Sequence, residues 1–282
     1  MTELSTLAEI KPETCFVPAT HQGTGRRISV KPGQTAARYL HYGRITLAAN
    51  DVPVSFQNDE HETGLVCLKG RAKVTVAGES FELKQYDAVY VPRDSRIEVA
   101  PREASGEGCD LAEISAPVDN KYPLQVVRFA DVRKNPKLHF TVGQPPTERD
   151  LNVLLGANVE AGRIICGVTF STEGNWTSFP PHEHAQMLEE AYLYIDMPAP
   201  SFGIQMVYTD FQKPELVQVV REGDVVLMPQ GHHPNVAAPG GSINFLWMMA
   251  ANREGVDRQF GVVNVQPEYD KGSSGLEAAH GK

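Results

Sequence analysis

The chain has 282 residues, enough to bury a sizeable core in one or two domains. Its formal charge of −9 and pI near 5.5 argue against nucleic acid or an anionic membrane as the main partner and favour a small ligand. The start, Met1-Thr2-Glu3, lacks a signal-peptide pattern, no segment approaches a membrane span, and Cys15, Cys67, Cys109 and Cys166 show no C-x-x-C spacing, so a cytoplasmic protein with reduced thiols is expected.

Residues 1–28 read as an irregular lead-in that packs across a barrel or a partner subunit. Strands are expected from residue 38 onward, at 38–47, 52–56 and 64–68. A hairpin follows, with Lys73-Val74-Thr75-Val76 and Phe81-Glu82-Leu83 joined by a turn containing Gly78. Strands at 87–92 and 96–99 complete a rhythm of short runs that means a sandwich or barrel. Residues 106–150 read as polar and irregular except for 124–129, and so as a connection between halves.

The second half repeats the first. The run Gly162-Arg163-Ile164 is similar to Gly43-Arg44-Ile45, and residues 224–236 overlay without gaps on 87–99, Asp224 on Asp87 and Pro229 on Pro92. The overlay sets His232-His233 on Ser95-Arg96, and the stretch corresponding to His182-Glu183-His184 holds a single histidine, His61. Both halves therefore share a scaffold, and the second keeps a ligand set that the first lacks. After Gly261 periodicity fades, and residues 271–275 are linker-like.

That ligand set is the strongest chemical signal. His182 and His184, at i and i+2, share a side only on an extended backbone, which Pro180-Pro181 favours. Imidazoles with a carboxylate suit a divalent transition metal in an open-sided site. One of Glu189 or Glu190, and one of His232 or His233, would complete it.

These features together resemble the bicupin architecture: an all-β fold of two double-stranded β-helix (jelly-roll) barrels from an internal duplication. The expected division is a lead-in at 1–28, an N-terminal barrel without ligands at 29–135, a C-terminal barrel with the metal site at 136–262 and a flexible tail at 263–282. More narrowly, the run Gly174 to His184, then Leu188-Glu189-Glu190-Ala191-Tyr192, Gly223-Asp224 and Gly231-His232-His233-Pro234 resemble the 5-deoxy-glucuronate isomerases of inositol breakdown. Arg38-Tyr39 and Tyr90-Val91-Pro92-Arg93 extend the likeness into the first half. A sister group, the 5-dehydro-4-deoxy-glucuronate isomerases of pectin breakdown, shares fold and ligand types. The short link Ala185-Gln186-Met187-Leu188 is closer to that group.

The resemblance implies metal ligands His182, His184, Glu190 and His233. It also implies a divalent ion, zinc first, with manganese, iron or nickel as alternatives. The implied reaction is an aldose-ketose isomerisation of a deoxy-uronic sugar acid, in which a proton crosses between adjacent carbons. Candidates for the acid-base role are Glu189, Tyr192 and Tyr208, with Tyr194 and Asp210 behind them. Arg163 and Lys213 are the cations considered for the substrate carboxylate. A homodimer paired through outer strands is expected. Two other classes stand beside the isomerase. A cupin dioxygenase would require iron and oxygen uptake, and a non-catalytic sugar-binding cupin would bind without turnover.

Overall fold

The structure, a computed structural model, describes residues 7–102 and 106–270. The apolar run Leu65-Val66-Cys67-Leu68 forms a strand whose two faces are both covered. In His61–Gly70, Leu65 and Cys67 point into the first barrel and Val66 and Leu68 into a core shared with the second; all four are buried. This strand pairs with Cys109–Pro117 and Ala88–Val91 in a six-stranded sheet. The hairpin Ala72–Val76 with Glu79–Leu83 belongs to a four-stranded sheet, whose Val74 and Val99 share the first core with Leu65 and Val91.

In the second half, Leu188–Tyr194 lies between Val225–Met228 and Phe245–Ala251 in a seven-stranded sheet. A four-stranded sheet containing Gly203–Val207 and Asn235–Ala237 forms its other layer. The two large sheets stand back to back, and one core joins Val66, Tyr90 and Ile114 with Leu154, Ile164 and Ala191. At this seam a Cβ on Gly64 would come 2.7 Å from Leu155 Cδ1.

Strand register makes the duplication exact enough to compare residues. Thr63 pairs with Val91 where Glu190 pairs with Met228, and Val91 and Met228 coincide in the overlay of the two halves. The repeated aspartates do the same work. Asp87 accepts the amides of Lys84 and Phe129, and Asp224 those of Arg221 and Ala19. The GRI likeness is displaced, however. Gly43 lies opposite Glu113 as Gly167 lies opposite Trp247, so Gly43 corresponds to Gly167 rather than to Gly162.

Several expected boundaries need correction. The lead-in contains Phe16–Val17, which crosses to the second barrel and pairs with Val225 and Val226. Strand Gly25–Val30 then begins the first barrel earlier than residue 29. Gln125–Val127 fills the corresponding place against the first barrel, with Val126 opposite Val89 as Phe16 is opposite Val226. The supposedly irregular stretch 106–150 holds Cys109–Pro117, a central strand of the six-stranded sheet. Its charges disguised it: Asp110 is neutralised by Arg44 and Glu113 by Arg26, each through two hydrogen bonds.

The expected tail also starts too early. Asn264–Val265 forms a strand against His182–Glu183. The linker-like stretch 271–275 lies outside the described residues. Among the described residues, no helix is long and apolar enough to cross a membrane.

Candidate metal centre

Strand alternation sets the chemistry of the 188–194 strand. Glu190, Tyr192 and Tyr194 face the interior of the second barrel, while Glu189 and Ala191 face the neighbouring barrel. Glu190 is 2% exposed at the centre of the sheet. His182 comes from the two-residue strand braced by Asn264–Val265. His184 opens a tight turn in which its carbonyl accepts the amides of Met187 and Leu188, each at 2.9 Å. The short link to the acidic pair thus holds His184 in place. His233 follows Gly231, whose φ of 86° and 2.6 Å Cβ approach to the Tyr208 carbonyl require glycine.

These four side chains meet. The candidate donor atoms of His182, His184 and His233 lie within 4.8 Å of one another. Glu190 Oε2 is 3.1 Å from His184 Nε2 and 3.2 Å from His233 Nε2. Each ring is held by its other nitrogen: Nδ1 of His182, His184 and His233 lies 2.9, 3.1 and 3.0 Å from the carbonyls of Pro180, Leu188 and Gly231. A carbonyl only accepts, so each Nδ1 carries a proton, and in the neutral ring Nε2 presents a lone pair.

The donor set fits a cation. In neutral rings, lone pairs of His184 and His233 would face a carboxylate oxygen, an arrangement that needs positive charge between them. His233 Nε2 is buried and, being out of line with Glu190, has no hydrogen-bond partner. Burial and the other two imidazoles hold the His182 pKa well below its ordinary value, which keeps the ring a neutral donor. Burial would raise the Glu190 pKa, but hydrogen bonds and positive charge from His184 and His233 in their protonated forms outweigh it and hold the carboxyl at about 2. This carboxylate therefore calls for positive charge beside it, whether a proton or a metal ion supplies it.

A cavity opens beside this cluster, lined by His182 and Glu190 together with Arg149, Thr169, Ser178, Tyr192, Phe245 and Trp247. The Tyr192 ring stacks on Phe245 with centroids 4.1 Å apart, and its hydroxyl is 2.8 Å from Ser178 Oγ. Burial, then the Glu190 charge, pushes its pKa well above the ordinary value, so it remains a phenol at neutral pH.

The other acid-base candidates do not reach the cavity lining. Glu189 points to the opposite face, where its carboxylate accepts the amides of Arg38, Tyr39 and Leu40 and pairs with Arg38. It is the counterpart of Glu62, which accepts the amides of Gly162, Arg163 and Ile164 in the same way. Each glutamate fastens its barrel to the strand entry of the other, so the acidic pair divides into a shared structural residue and a residue special to the second half.

Tyr208 is engaged elsewhere, donating to Gln266 Oε1 at 2.6 Å and stacking on His232. Tyr194 donates to Gln205. Asp210 and Lys213 are exposed, and Arg163 is spent on the carbonyls of Pro117, Ala251 and Asn252. The cation that sequence reasoning missed is Arg149, consigned to a loop although it opens the Arg149–Leu155 strand. Alternation of Arg149, Leu151 and Val153 was the available signal.

His232 and His233 make a direct test of this geometry. His232 is bridged to Tyr208 on the outer side, so His232→Ala is expected to bind zinc within about threefold of the parent, whereas His233→Ala loses about 100-fold or more. Calorimetric titration of metal-stripped protein reads both, and equal losses would contradict the choice of His233.

Comparison with known proteins agrees with the architecture. The KduI/IolB family model matches residues 15–265. A 5-deoxy-glucuronate isomerase of Geobacillus kaustophilus is 30% identical over 243 residues, covering 80% of this chain and 84% of that one. An IolB-like protein from Salmonella typhimurium LT2 superposes with a TM-score of 0.79 at 22% identity, over 91% of this chain and 98% of that structure. A cupin 2 conserved barrel domain protein from Leptotrichia buccalis gives a TM-score of 0.52 at 11% identity, over 87% and 100% of the two chains, so the likeness is one of fold.

Proposed function

The chain belongs to the KduI/IolB family, and on that premise we propose that it is a 5-deoxy-glucuronate isomerase, an aldose-ketose isomerase acting on a deoxy-uronic sugar acid of inositol breakdown. The observation that carries the reading is the meeting of three buried imidazoles and Glu190 beside a cavity, in a chain whose isomerase relatives match it over most of its length.

His182, His184, His233 and Glu190 would hold a divalent cation, zinc in this reading. When bound, such an ion polarises carbonyl and hydroxyl oxygens and makes the neighbouring carbon-bound proton more acidic. Tyr192, kept protonated by burial and aimed by Ser178, supplies a hydrogen bond where negative charge collects on oxygen as the enediol forms. Phe245 and Trp247 give the cavity an apolar wall that excludes water and suits the methylene of a deoxy sugar.

An assay under nitrogen with 5-deoxy-glucuronate and 5-dehydro-4-deoxy-glucuronate tests the proposal. The first is expected to be converted to its ketose without oxygen uptake. Turnover of the second alone would move the chain to the pectin pathway. Failure on both would remove the isomerase assignment, and turnover that requires dioxygen would favour the dioxygenase.

A further inference from the structure

We infer that Arg149 is the residue that recognises the substrate carboxylate and so selects an acid over a neutral sugar. The inference rests on the reading of the chain as a uronic-acid isomerase. Arg149 shares the cavity lining with His182, Glu190 and Tyr192 and is 5% exposed. Its one side-chain hydrogen bond among the described residues is from Nη1 to the Thr147 carbonyl, 3.0 Å away, and no described carboxylate forms an ion pair with it.

The other buried arginine among the described residues, Arg44, is held bidentately by Asp110. The half-buried Arg258, which also lacks a carboxylate partner, spreads its hydrogen bonds over three carbonyls, those of Ile164, Val159 and Gly156. A buried guanidinium without a counter-ion costs several kcal/mol unless an anion arrives to meet it. Burial draws the Arg149 pKa down to about 10, which still leaves it a cation at neutral pH.

A uronic acid supplies that anion. Its carboxylate lies at the opposite end of the carbon chain from the carbonyl that isomerises. One end can therefore engage the guanidinium while the other meets the His182 and Glu190 side of the same cavity. A planar, two-pronged donor suits a carboxylate better than an ammonium does. Binding by Arg149 would fix which end of the sugar reacts.

The test compares Arg149→Met and Arg149→Lys with the parent, each carrying its metal. For 5-deoxy-glucuronate, KM is expected to rise about 30-fold or more in Arg149→Met, with kcat changed far less, and the lysine variant should recover part of the loss. Binding is read separately by calorimetry with D-glucuronate and D-glucose. The parent is expected to prefer the acid by about tenfold or more, and Arg149→Met to lose that preference.

Loss of preference in the variant supports the assignment even if the parent isomerises no uronic acid, an outcome that would sink the functional reading alone. An unchanged preference in Arg149→Met overturns it whether or not turnover is seen. Should that variant fail to fold, the parent decides: equal binding of acid and neutral sugar would overturn the assignment, and a clear acid preference weakened in Arg149→Lys would support it.

Discussion

Glu190→Gln is expected to lower kcat by about a thousandfold or more and to leave the purified protein nearly free of metal. The side chain keeps its shape but loses the charge that faces His184 Nε2 at 3.1 Å and His233 Nε2 at 3.2 Å. The new amide can donate to those nitrogen lone pairs, so the site is satisfied without a cation. Lewis-acid stabilisation is worth several kcal/mol, and each 1.4 kcal/mol is tenfold in rate, which gives a loss of about a thousandfold. Thermal stability of the metal-free form should be unchanged or higher. Emission spectroscopy for bound metal and a turnover assay check the result together; a variant with a full metal complement and kcat within tenfold of the parent would remove Glu190 from the site.

The second large effect concerns the joint between barrels. Glu62 is fully buried, and its carboxylate accepts four hydrogen bonds, from the amides of Gly162, Arg163 and Ile164 and from Tyr90. Glu62→Ala removes every acceptor at once and strands three amides that water cannot easily reach. At about 1 to 3 kcal/mol for each unsatisfied group, partly relieved by relaxation, a destabilisation of about 3 to 5 kcal/mol is expected. That corresponds to a fall in Tm of roughly 5 to 8 °C for a chain of this size. Scanning calorimetry measures it, and a fall below about 2 °C would mean that the joint does not depend on this carboxylate. Glu62→Gln, which keeps one acceptor oxygen, should fall between.

The repeat was legible because its signature lies in turns. Asp87 and Asp224 close the same turn by accepting the amide three residues back, from Lys84 and Arg221, so chemistry preserved the spelling across both halves. The division of labour in Glu189-Glu190 was partly legible, since alternation separates the two faces of a strand. The role of Glu189 was not, because its partners at residues 38–40 are remote in sequence and are backbone groups, which leave no mark on side-chain identity.

Tyr208 was misread for a related reason. A tyrosine's place in the sequence says nothing about which side of the barrel wall its hydroxyl meets, and here it meets Gln266. Asn264–Val265 escaped notice because two residues are too few to show a period, yet they brace His182. Arg149 was hidden by the loop-like run Gln144-Pro145-Pro146-Thr147 just before it, which disguised the start of a strand.

Removal and return of the metal tests the central claim most directly. The protein is stripped with a chelator, titrated with zinc or manganese under nitrogen, and assayed on 5-deoxy-glucuronate at each addition. Activity is expected to vanish on stripping and to rise in proportion to bound metal, reaching its plateau at about one ion per chain, as four protein ligands at one centre require. Full turnover by rigorously metal-free protein would contradict the account.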